Sequence, residues 1–314
     1  MNTPIDGLPL VLGGNVFGWT AKGDEGFAVL DAFYEAGGRM IDTADAYTKA
    51  MPGHSGGESE TFIGQWLTSR GVRDEMKIHT KTGKLNPGDE LYELSTVSST
   101  IEESLNRLQT NHVDLYYAHA DNTDVPIDQI VESMNTTVFA GKAHALGISN
   151  ITLPRFKMAL DAAARTSATK FSVLQNQMNL LEQDDFDPTY QQFCVEHGIS
   201  MLPYFSLASG YLTGKYRTPG DFDKWMRGRM TKRYTENGKN VLAAMDGIAT
   251  ETGASLATIA LAWLASQPGI TSPIASARTV DQLEQLIDFT RLKLSEIQIK
   301  SLTEAAAQSP TASR

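Results

Sequence analysis

Four ionisable side chains lie at or just after the ends of short apolar runs in this 314-residue sequence. Asp42 ends "RMID", Lys81 ends "KIHTK" and His119 ends "VDLYYAH", and Tyr47 follows Asp42 among small residues. Each alone has a simple explanation, because a lysine at a strand end is commonly solvated and a lone histidine commonly packs in a core. Parallel strands that close into a barrel would instead bring all four to one pocket.

These residue types together suit proton transfer to a developing alkoxide. A phenol has a reference pKa of about 10, and a neighbouring ammonium lowers it. A carboxylate keeps that ammonium charged and positioned, and a histidine beside the phenol orients a carbonyl oxygen. None of the four carries a hydride, so reduction of an aldehyde or ketone by this set requires a cofactor.

The apolar runs alternate with helical patterns, several of which end in glycine. Such alternation predicts a parallel sheet covered by helices, and eight strands favour a closed (β/α)8 TIM barrel. We therefore predict an α/β fold and one domain over residues 1–314. The predicted strands are "LPLVLGGN", "RMIDTA", "KIHTKTG", "VDLYYAHA", "HALGISN", "SVLQNQM", "SMLPYFS" and "ITSPIAS".

Two further patterns refine this prediction. No G-x-G-x-x-G follows any of the strands, which argues against a Rossmann dinucleotide site. The polar and aromatic segment 211–240, "YLTGKYRTPGDFDKWMRGRMTKRYTENGKN", interrupts the alternation after the seventh strand. It is either an active-site loop or a surface excursion without a ligand role.

Composition excludes some classes of function. The net charge of −10 and the lack of a long basic run argue against nucleic-acid binding. No signal peptide or membrane-length apolar run is visible, so we expect a cytoplasmic protein without membrane contact. The one cysteine, Cys194, is expected to pack in a helix, and no metal site is expected.

The chain resembles aldo-keto reductases over nearly its whole length, through motifs in the family's order. It is most similar to bacterial members of the aryl-alcohol dehydrogenase and potassium-channel β-subunit types. The matching segments are "IDTADAY", "GGESETFIGQWL", "TKTG", "SLNRLQTNHVDLYYAH", "GKAHALGISN", "LPYFSLASGYLTGKYR" and "SPIASARTVDQLEQL".

The resemblance implies a role for each residue of the opening set. Tyr47 would be the proton donor, Lys81 would lower its pKa, Asp42 would pair with Lys81, and His119 would orient the carbonyl. An intact set argues against a non-catalytic member of the family.

The resemblance also implies an extended site for a nicotinamide cofactor. Ser149, Asn150 and Gln177 would hold the carboxamide, and Tyr204 would stack on the nicotinamide ring. Arg278 would meet a 2′-phosphate, which favours NADP(H) over NAD(H) without excluding NAD. The remaining implied cofactor contacts are Gly14, Asn15, Asp42, Phe205, Ser206, Leu207, Ser209, Gly210, Lys215, Ser276, Gln282 and Gln285.

Several positions depart from the family pattern. The segment before the first strand is short, so the N-terminal hairpin of the family is expected to be reduced. Leu286 and His144 stand where asparagine and arginine are common, and Met178 stands where an aromatic residue is frequent. The segment "DAYTKAMPGHSGGESE" is longer than usual and could reshape the substrate mouth.

The sequence thus predicts an NADP(H)-dependent oxidoreductase that interconverts a small-molecule carbonyl and its alcohol. Aromatic residues predicted at the mouth are Phe17, Trp19, Tyr211 and Trp225, each of which could equally serve packing. A nicotinamide-binding regulatory subunit, or a barrel aldolase with Lys81 as a Schiff-base amine, remains an alternative. The oligomeric state and the substrate stay open.

Overall fold

The computed structural model of the protein describes residues 4–85, 91–222 and 227–307. Seven of the eight strands lie within the apolar runs that predict them, and the sixth begins one residue earlier, at Phe171. They are β1 (Val11–Gly13), β2 (Met40–Asp42), β3 (Lys77–Thr82), β4 (Leu115–Ala118), β5 (Leu146–Ser149), β6 (Phe171–Gln175), β7 (Ser200–Met201) and β8 (Ile274–Ala275).

Helices connect and cover these strands. They are α1 (Gly23–Glu35), α2 (Glu58–Arg70), α3 (Leu94–Leu108), α4 (Ile127–Phe139), α5 (Leu153–Thr166), α6 (Pro188–Glu196), α7 (Arg227–Arg233), α8 (Glu236–Thr252), α9 (Leu256–Ala265), α10 (Val280–Ile287) and α11 (Glu296–Ala307). Local chemistry sets their ends: the Thr235 and Ser255 hydroxyls cap α8 and α9, and Gly71 and Gly253 end α2 and α8 with φ of 67° and 72°. Over the described ranges, no single helix meets the length and hydropathy of a membrane span, and only α8 and α9 taken together do so, across a bend of 101°.

The strands form one parallel sheet in the order β7-β6-β5-β4-β3-β2-β1-β8. Backbone hydrogen bonds also join the two ends of this order. The Thr271 N–H donates to the Met201 carbonyl and the Ile274 N–H to the Pro203 carbonyl, each at 2.9 Å. The sheet therefore curls until the segments at its two edges meet, with every strand running in the same direction.

Apolar side chains fill two layers, one inside the curled sheet and one between the sheet and the helices. The inner layer holds one side chain or two from most of the strands: Val11, Met40, Leu115, Tyr117, Val173, Leu202 and Ile274. The larger outer layer includes Trp66, Trp263 and the buried Cys194 of α6. Because strand residues alternate between the two sides, the residue two positions beyond an inner-layer residue also faces inward.

The segment before β1 closes one end of the inner layer. Ile5 packs against that layer, and the Pro4 carbonyl lies 2.8 Å from His79 Nε2. In the described part of the chain no strand precedes β1. A short extended segment thus covers the end of the sheet at which the strands begin.

Segment 211–240, predicted as a loop, contains regular structure in its described parts. It includes helix α7 and the start of α8, while residues 223–226, among them Trp225, lie outside the described residues. Arg233 forms a bidentate pair with Glu182 at 2.8 and 3.0 Å, and Arg217 forms another with Asp246 at 2.8 and 2.7 Å. These ion pairs, which the sequence pattern does not reveal, fix the segment to the neighbouring elements.

Helices α2 and α3 approach closely at a glycine. A Cβ added at Gly64 would lie 2.3 Å from the Arg107 carbonyl oxygen and 2.7 Å from the carbonyl carbon of Leu108. Both atoms belong to backbone, so a side chain at position 64 would push the helices apart. The approach also lets the Arg107 guanidinium reach Glu60 Oε2 at 2.7 Å.

We expect Gly64→Ala to destabilise the protein by about 1–3 kcal/mol in urea unfolding, because overpacking outweighs the gain in helix propensity. Gly247→Ala is the matched control, since Gly247 lies in α8 with open space around it. That control should gain roughly 0.5–1 kcal/mol. Equal effects of the two substitutions on the free energy of unfolding would show that the close approach at Gly64 does not affect stability.

Candidate active site

The four residues singled out in the sequence lie together at the carboxyl ends of adjacent strands. Asp42 is the last residue of β2, Lys81 is near the end of β3, and His119 directly follows β4. Each lies two positions beyond an inward-facing residue, and Tyr47 enters from the turn after β2. The barrel-like geometry therefore brings them to one place, as predicted from the strand ends.

Lys81 is the centre of a buried hydrogen-bond triangle. Its Nζ donates to Asp42 Oδ2 at 2.5 Å, to the Thr43 carbonyl at 2.8 Å and to the Tyr47 hydroxyl oxygen at 2.9 Å. The Tyr47 hydroxyl in turn donates to Asp42 Oδ2 at 2.8 Å. All three protons of the ammonium are thus used, and its orientation is determined.

Burial sets the protonation of the other two groups. Burial of its hydroxyl and the charge of Asp42 raise the pKa of Tyr47 well above its usual value, so the net shift is upward despite the Lys81 ammonium 2.9 Å away. That Lys81 lowers this pKa stays a prediction. Burial, followed by the charges of Lys81 and Lys84, holds the pKa of His119 well below its usual value. At neutral pH the phenol keeps its proton and the imidazole is neutral.

His119 lies beside the phenol without blocking its hydroxyl. The two rings meet edge to face with their centroids 6.0 Å apart. His119 Nδ1 is buried and has no hydrogen-bond partner in the described part of the chain. The imidazole is therefore placed by packing, and it retains hydrogen-bonding capacity next to the Tyr47 hydroxyl.

The structure adds Gln175, which the sequence analysis missed. Its Nε2 donates to the second carboxylate oxygen of Asp42, Oδ1, at 2.9 Å, and its side chain is buried. Gln177, the residue named from the sequence, lies beyond the end of β6 and is half-buried. The signal was available, because Gln175 is two positions beyond Val173 and so faces inward.

The next layer of the site connects three predicted residues. The Asn150 amide donates to the Ser149 hydroxyl at 2.8 Å and to the His119 carbonyl at 2.7 Å. The Tyr204 hydroxyl donates to Asn150 Oδ1 at 2.6 Å. Asn150 has a left-handed backbone with φ of 54°, which this network stabilises.

The segment after Tyr204 has the backbone form of an anion site. Phe205, Ala208, Ser209 and Gly210 all have positive φ, between 49° and 92°. Turns of this kind can present N–H groups that donate to phosphate oxygens, and here the Ala208 and Gly210 N–H groups donate to the Phe205 and Leu207 carbonyls at 2.7 and 2.8 Å. The buried Ser209 hydroxyl has no partner in the described structure, so this segment fits a pyrophosphate.

Lys215 and Ser206 differ in whether a ligand bound at that segment could contact them. A Cβ added at Gly210 would lie 3.3 Å from Lys215 Nζ, so the ammonium lies directly over the turn. Ser206 instead turns inward, where its hydroxyl donates to the Ile274 carbonyl at 2.8 Å. Ser206 therefore stabilises the segment from behind, and Leu207 is half-buried against the outer core.

The remaining predicted cofactor residues surround the ends of β1 and β8. Ser276 donates to Asn15 Oδ1 at 2.5 Å, and the Arg278 N–H donates to Gln282 Oε1 at 3.0 Å. Arg278 and Gln285 are exposed, whereas Gly14 is buried under Ser59, whose hydroxyl donates to its carbonyl at 2.7 Å. Leu286 is buried in the core and offers no polar group here.

The extended segment around the mouth is organised by Glu58. Its carboxylate accepts hydrogen bonds from the Thr48 hydroxyl at 2.6 Å and from the N–H groups of Ser55 and Gly56 at 2.7 and 3.0 Å. Partial burial raises the pKa of Glu58, but these hydrogen bonds hold it at about 2. These hydrogen bonds thus fix the backbone of the segment between Tyr47 and α2.

Only one predicted mouth aromatic remains available in the described structure. Phe17 is fully buried and stacks on Phe62 with centroids 5.7 Å apart, and Tyr211 is also fully buried. Both therefore serve packing. Trp19 is partly exposed.

Asp45, between Asp42 and Tyr47 in the chain, is a buried carboxyl that the sequence analysis did not single out. It is 1% exposed, and neither carboxyl oxygen has a hydrogen-bond partner in the described part of the chain. Burial and the charge of Glu60 raise its pKa to about 7, against the opposing effects of the Ala46 N–H, Arg107 and Lys81. Folding therefore takes up a proton at this position.

Stability should fall as pH rises from about 4 to about 7, because the folded protein holds the Asp45 proton over a range in which the unfolded chain has lost it. Asp45→Asn removes this penalty. We expect the variant to gain on the order of 1–3 kcal/mol relative to wild type between pH 5 and pH 8, measured by chemical denaturation at both values. The exposed Asp161→Asn should show no such gain, and a pH-independent difference for Asp45→Asn would contradict the assignment.

Comparisons with known proteins agree with this geometry. The model of the Aldo/keto reductase family matches residues 9–307. Norsolorinic acid reductase stcV of Emericella nidulans is 30% identical over 96% of this chain and 80% of its own length, and norsolorinic acid reductase B of Aspergillus parasiticus is 29% identical over 93% and 77%. An aryl-alcohol dehydrogenase [NADP(+)] of Phanerodontia chrysosporium is 26% identical over 91% and 77%. With the family model covering almost all of the chain and oxidoreductases among its relatives, the protein belongs to the aldo/keto reductase family.

Proposed function

We propose that this protein interconverts an aldehyde or ketone and the corresponding alcohol with NADP(H), using Tyr47 as the proton donor and acceptor. The observation that carries the proposal is the hydrogen-bonded triangle of Asp42, Tyr47 and Lys81, with His119 edge-on to the phenol. This arrangement provides a proton and a positive charge at the same point. A carbonyl oxygen that gains negative charge requires both.

Tyr47 is protonated at rest and gives its proton only when a stronger acceptor forms. Its hydroxyl hydrogen points to Asp42 in the present arrangement and turns to a substrate oxygen by rotation about the C–O bond. The phenolate that results keeps the 2.9 Å contact with Lys81, whose charge offsets the loss. Asp42 stays paired with Lys81 and Gln175 throughout.

His119 completes the oxygen site. The low pKa of its ring keeps the imidazole neutral, so it carries one N–H that can donate to the substrate oxygen without competing for the Tyr47 proton. Its backbone carbonyl accepts from Asn150, which ties the ring's position to the neighbouring layer. The neutral His119 N–H and the charged Lys81 ammonium would thus both polarise the substrate carbonyl.

The chain's own residues fit a nicotinamide dinucleotide that supplies the hydride. The hydrogen bonds of Asn150 to Ser149 and to the His119 carbonyl support the assignment of Ser149 and Asn150 to the carboxamide. The buried Gln175 is a better candidate than the half-buried Gln177 for the same role. Tyr204 lies beside them and offers its ring. The left-handed turn at Ser209 and Gly210 with Lys215 over it suits the pyrophosphate, and Ser276, Arg278, Gln282 and Gln285 surround the adenosine end.

NADP(H) is favoured over NAD(H) by Arg278. Its exposed guanidinium follows β8 beside the start of α10, and a guanidinium matches a phosphate group with two parallel hydrogen bonds. A relative also carries NADP(+) in its name. The names of the relatives further favour an aromatic carbonyl or alcohol as substrate.

We infer that the curled sheet is a closed (β/α)8 barrel and that residues 1–314 form one domain. The cross-edge hydrogen bonds support closure, and the extent of the family match supports a single domain. The short segment at Pro4 and Ile5 takes the place of an N-terminal hairpin. In segment 211–240, Arg233 bonds to Glu182, which follows β6. The aldolase alternative is disfavoured because Lys81 is fully buried and donates all of its protons.

Purified protein should oxidise NADPH when aryl aldehydes are added, and the loss of NADPH absorbance measures the rate. Tyr47→Phe should lower this rate by roughly 10²–10⁴-fold, since only the proton donor is lost. Binding of NADPH, measured by quenching of tryptophan fluorescence, should stay close to that of wild type. Tyr34→Phe is the control, because Tyr34 is bonded to Glu75 away from the site.

The outcomes of that experiment separate the alternatives. Wild-type turnover in Tyr47→Phe would remove Tyr47 from its role. Cofactor binding without turnover on any aldehyde, ketone or alcohol would favour a regulatory nicotinamide-binding protein.

Arg278→Ala should weaken the binding of NADPH by roughly 10–100-fold and leave the binding of NADH nearly unchanged. The reason is that a charged hydrogen bond to phosphate contributes about 1.5–3 kcal/mol to binding. Titration of both cofactors against the variant measures the difference. Arg291→Ala provides a control, because that arginine is exposed and pairs with Asp288. Equal losses for the two cofactors would show that Arg278 does not contact the 2′-phosphate.

A further inference from the structure

A second cluster of ionisable side chains lies at the opposite end of the sheet from the candidate active site. His112 and Asp114 precede β4, and His144 precedes β5. The two segments are joined side by side, since the His144 N–H donates to the Val113 carbonyl at 3.0 Å. Among the described residues, these three form the one group of histidine and acidic side chains with the spacing of a metal site.

The ligand atoms of the group are close to one another and accessible. One atom from each residue lies within 4.8 Å of the other two. Asp114 is buried, His112 is half-buried, and the His144 side chain is 32% exposed. Tetrahedral bonds of about 2.1 Å to a common ion place ligand atoms about 3.4 Å apart, so binding requires the side chains to move together by up to about 1.4 Å, and the exposed His144 has the freedom to turn inward.

Neighbouring groups orient the carboxylate. Asp114 Oδ2 accepts from the Ile78 N–H at 3.0 Å and from the Arg73 guanidinium at 3.1 Å. The other oxygen, Oδ1, lies 3.9 Å from His144 Nδ1 and 3.5 Å from Lys77 Nζ. One carboxylate oxygen is therefore held by hydrogen bonds, and the second lies between Lys77 and His144.

The first histidine is also held in position. His112 Nδ1 lies 2.7 Å from Asn111 Oδ1, and the tautomer that donates this hydrogen bond leaves a lone pair on Nε2. A fixed N–H partner of this kind orients metal-binding histidines. Nε2 of His112, with its lone pair, is therefore the ligand atom that this residue would offer to a metal ion.

We propose that His112, Asp114 and His144 bind one divalent transition-metal ion of the zinc class, with water in the remaining coordination positions. Two imidazoles and one carboxylate suit Zn²⁺, Co²⁺ or Ni²⁺, whereas Mg²⁺ and Ca²⁺ take oxygen ligands. In the ion-free arrangement the two rings stack with centroids 4.4 Å apart. Binding breaks this stack, because both rings must direct a lone pair at the same point.

The cations around Asp114 determine how tightly the ion is held. Lys77 lies nearest to the free oxygen, so its ammonium competes directly with the metal. Arg73 occupies the other oxygen and also donates to the His112 carbonyl at 2.8 Å, so it supports the geometry. Removal of the Lys77 charge should therefore strengthen binding, which a purely structural role of the cluster does not predict.

A bound ion would join the beginnings of β4 and β5. The carboxyl ends of the same strands carry His119 and Ser149, so the ion would stabilise the frame of the site without touching it. Because an ion that binds only the folded chain stabilises it by mass action, the melting temperature should rise with free metal concentration. This inference does not depend on the reaction proposed above.

The test uses tag-free, full-length protein titrated with Zn²⁺ by calorimetry and with Co²⁺ by visible absorption. We expect one ion per chain at this site, Co²⁺ bands typical of mixed nitrogen and oxygen ligands, and a higher melting temperature. His112→Ala and His144→Arg should each weaken binding by about 10–100-fold or more. Lys77→Met should tighten it several-fold.

His197→Ala is the matched control, since His197 is exposed on a different face and stacks on Phe193. Circular dichroism of each variant checks that the fold is retained. The proposal is overturned if neither ion binds, or if binding persists unchanged in His112→Ala and His144→Arg. Weaker binding in Lys77→Met would likewise contradict it.

Discussion

The candidate active site depends on one buried ion pair, between Lys81 and Asp42. The lysine side chain is fully buried and the aspartate is 1% exposed, so each charge is separated from bulk water. A lone charge in such a place would cost several kcal/mol, and a pair persists only when its remaining hydrogen-bonding capacity is also satisfied. The Thr43 carbonyl, the Tyr47 hydroxyl and the Gln175 amide satisfy it, so these three polar groups are positioned by their hydrogen bonds to the pair.

The sheet makes that arrangement possible through side-chain alternation. Four of the strands each place a polar residue two positions beyond an inward-facing apolar one. The pairs are Met40 and Asp42 on β2, Tyr117 and His119 at β4, Val173 and Gln175 on β6, and Leu202 and Tyr204 after β7. Each strand thus contributes an apolar residue to a lower layer and a polar residue to the layer above it. The apolar layer keeps water away from the ion pair from below, which is why the phenol and imidazole above it hold such strongly shifted pKa values.

Much of this could be predicted from the sequence, because strand ends and helix patterns are local signals. The eight apolar runs and the four ionisable residues lie together as expected. Gln175 was missed because the choice between it and Gln177, which alternation places on the same side, rests on where β6 ends, and the sequence pattern does not fix that end. The net upward shift of the Tyr47 pKa and the buried Asp45 carboxyl could not be predicted, because desolvation depends on the whole environment of a group and not on its neighbours in the sequence.

The two ends of the sheet carry different groups of ionisable side chains. At the carboxyl ends, charged and polar groups are buried facing inward, where a substrate can meet them. At the amino ends, His112, Asp114 and His144 lie just before β4 and β5, next to Leu115 of the inner layer and Ala145, which packs against that layer. A histidine at position 144, where the family resemblance favours arginine, replaces a permanent cation with a group that can donate a lone pair. That single exchange turns a site suited to an ion pair with Asp114 into one suited to a metal ion, while the strands continue into an unchanged active site.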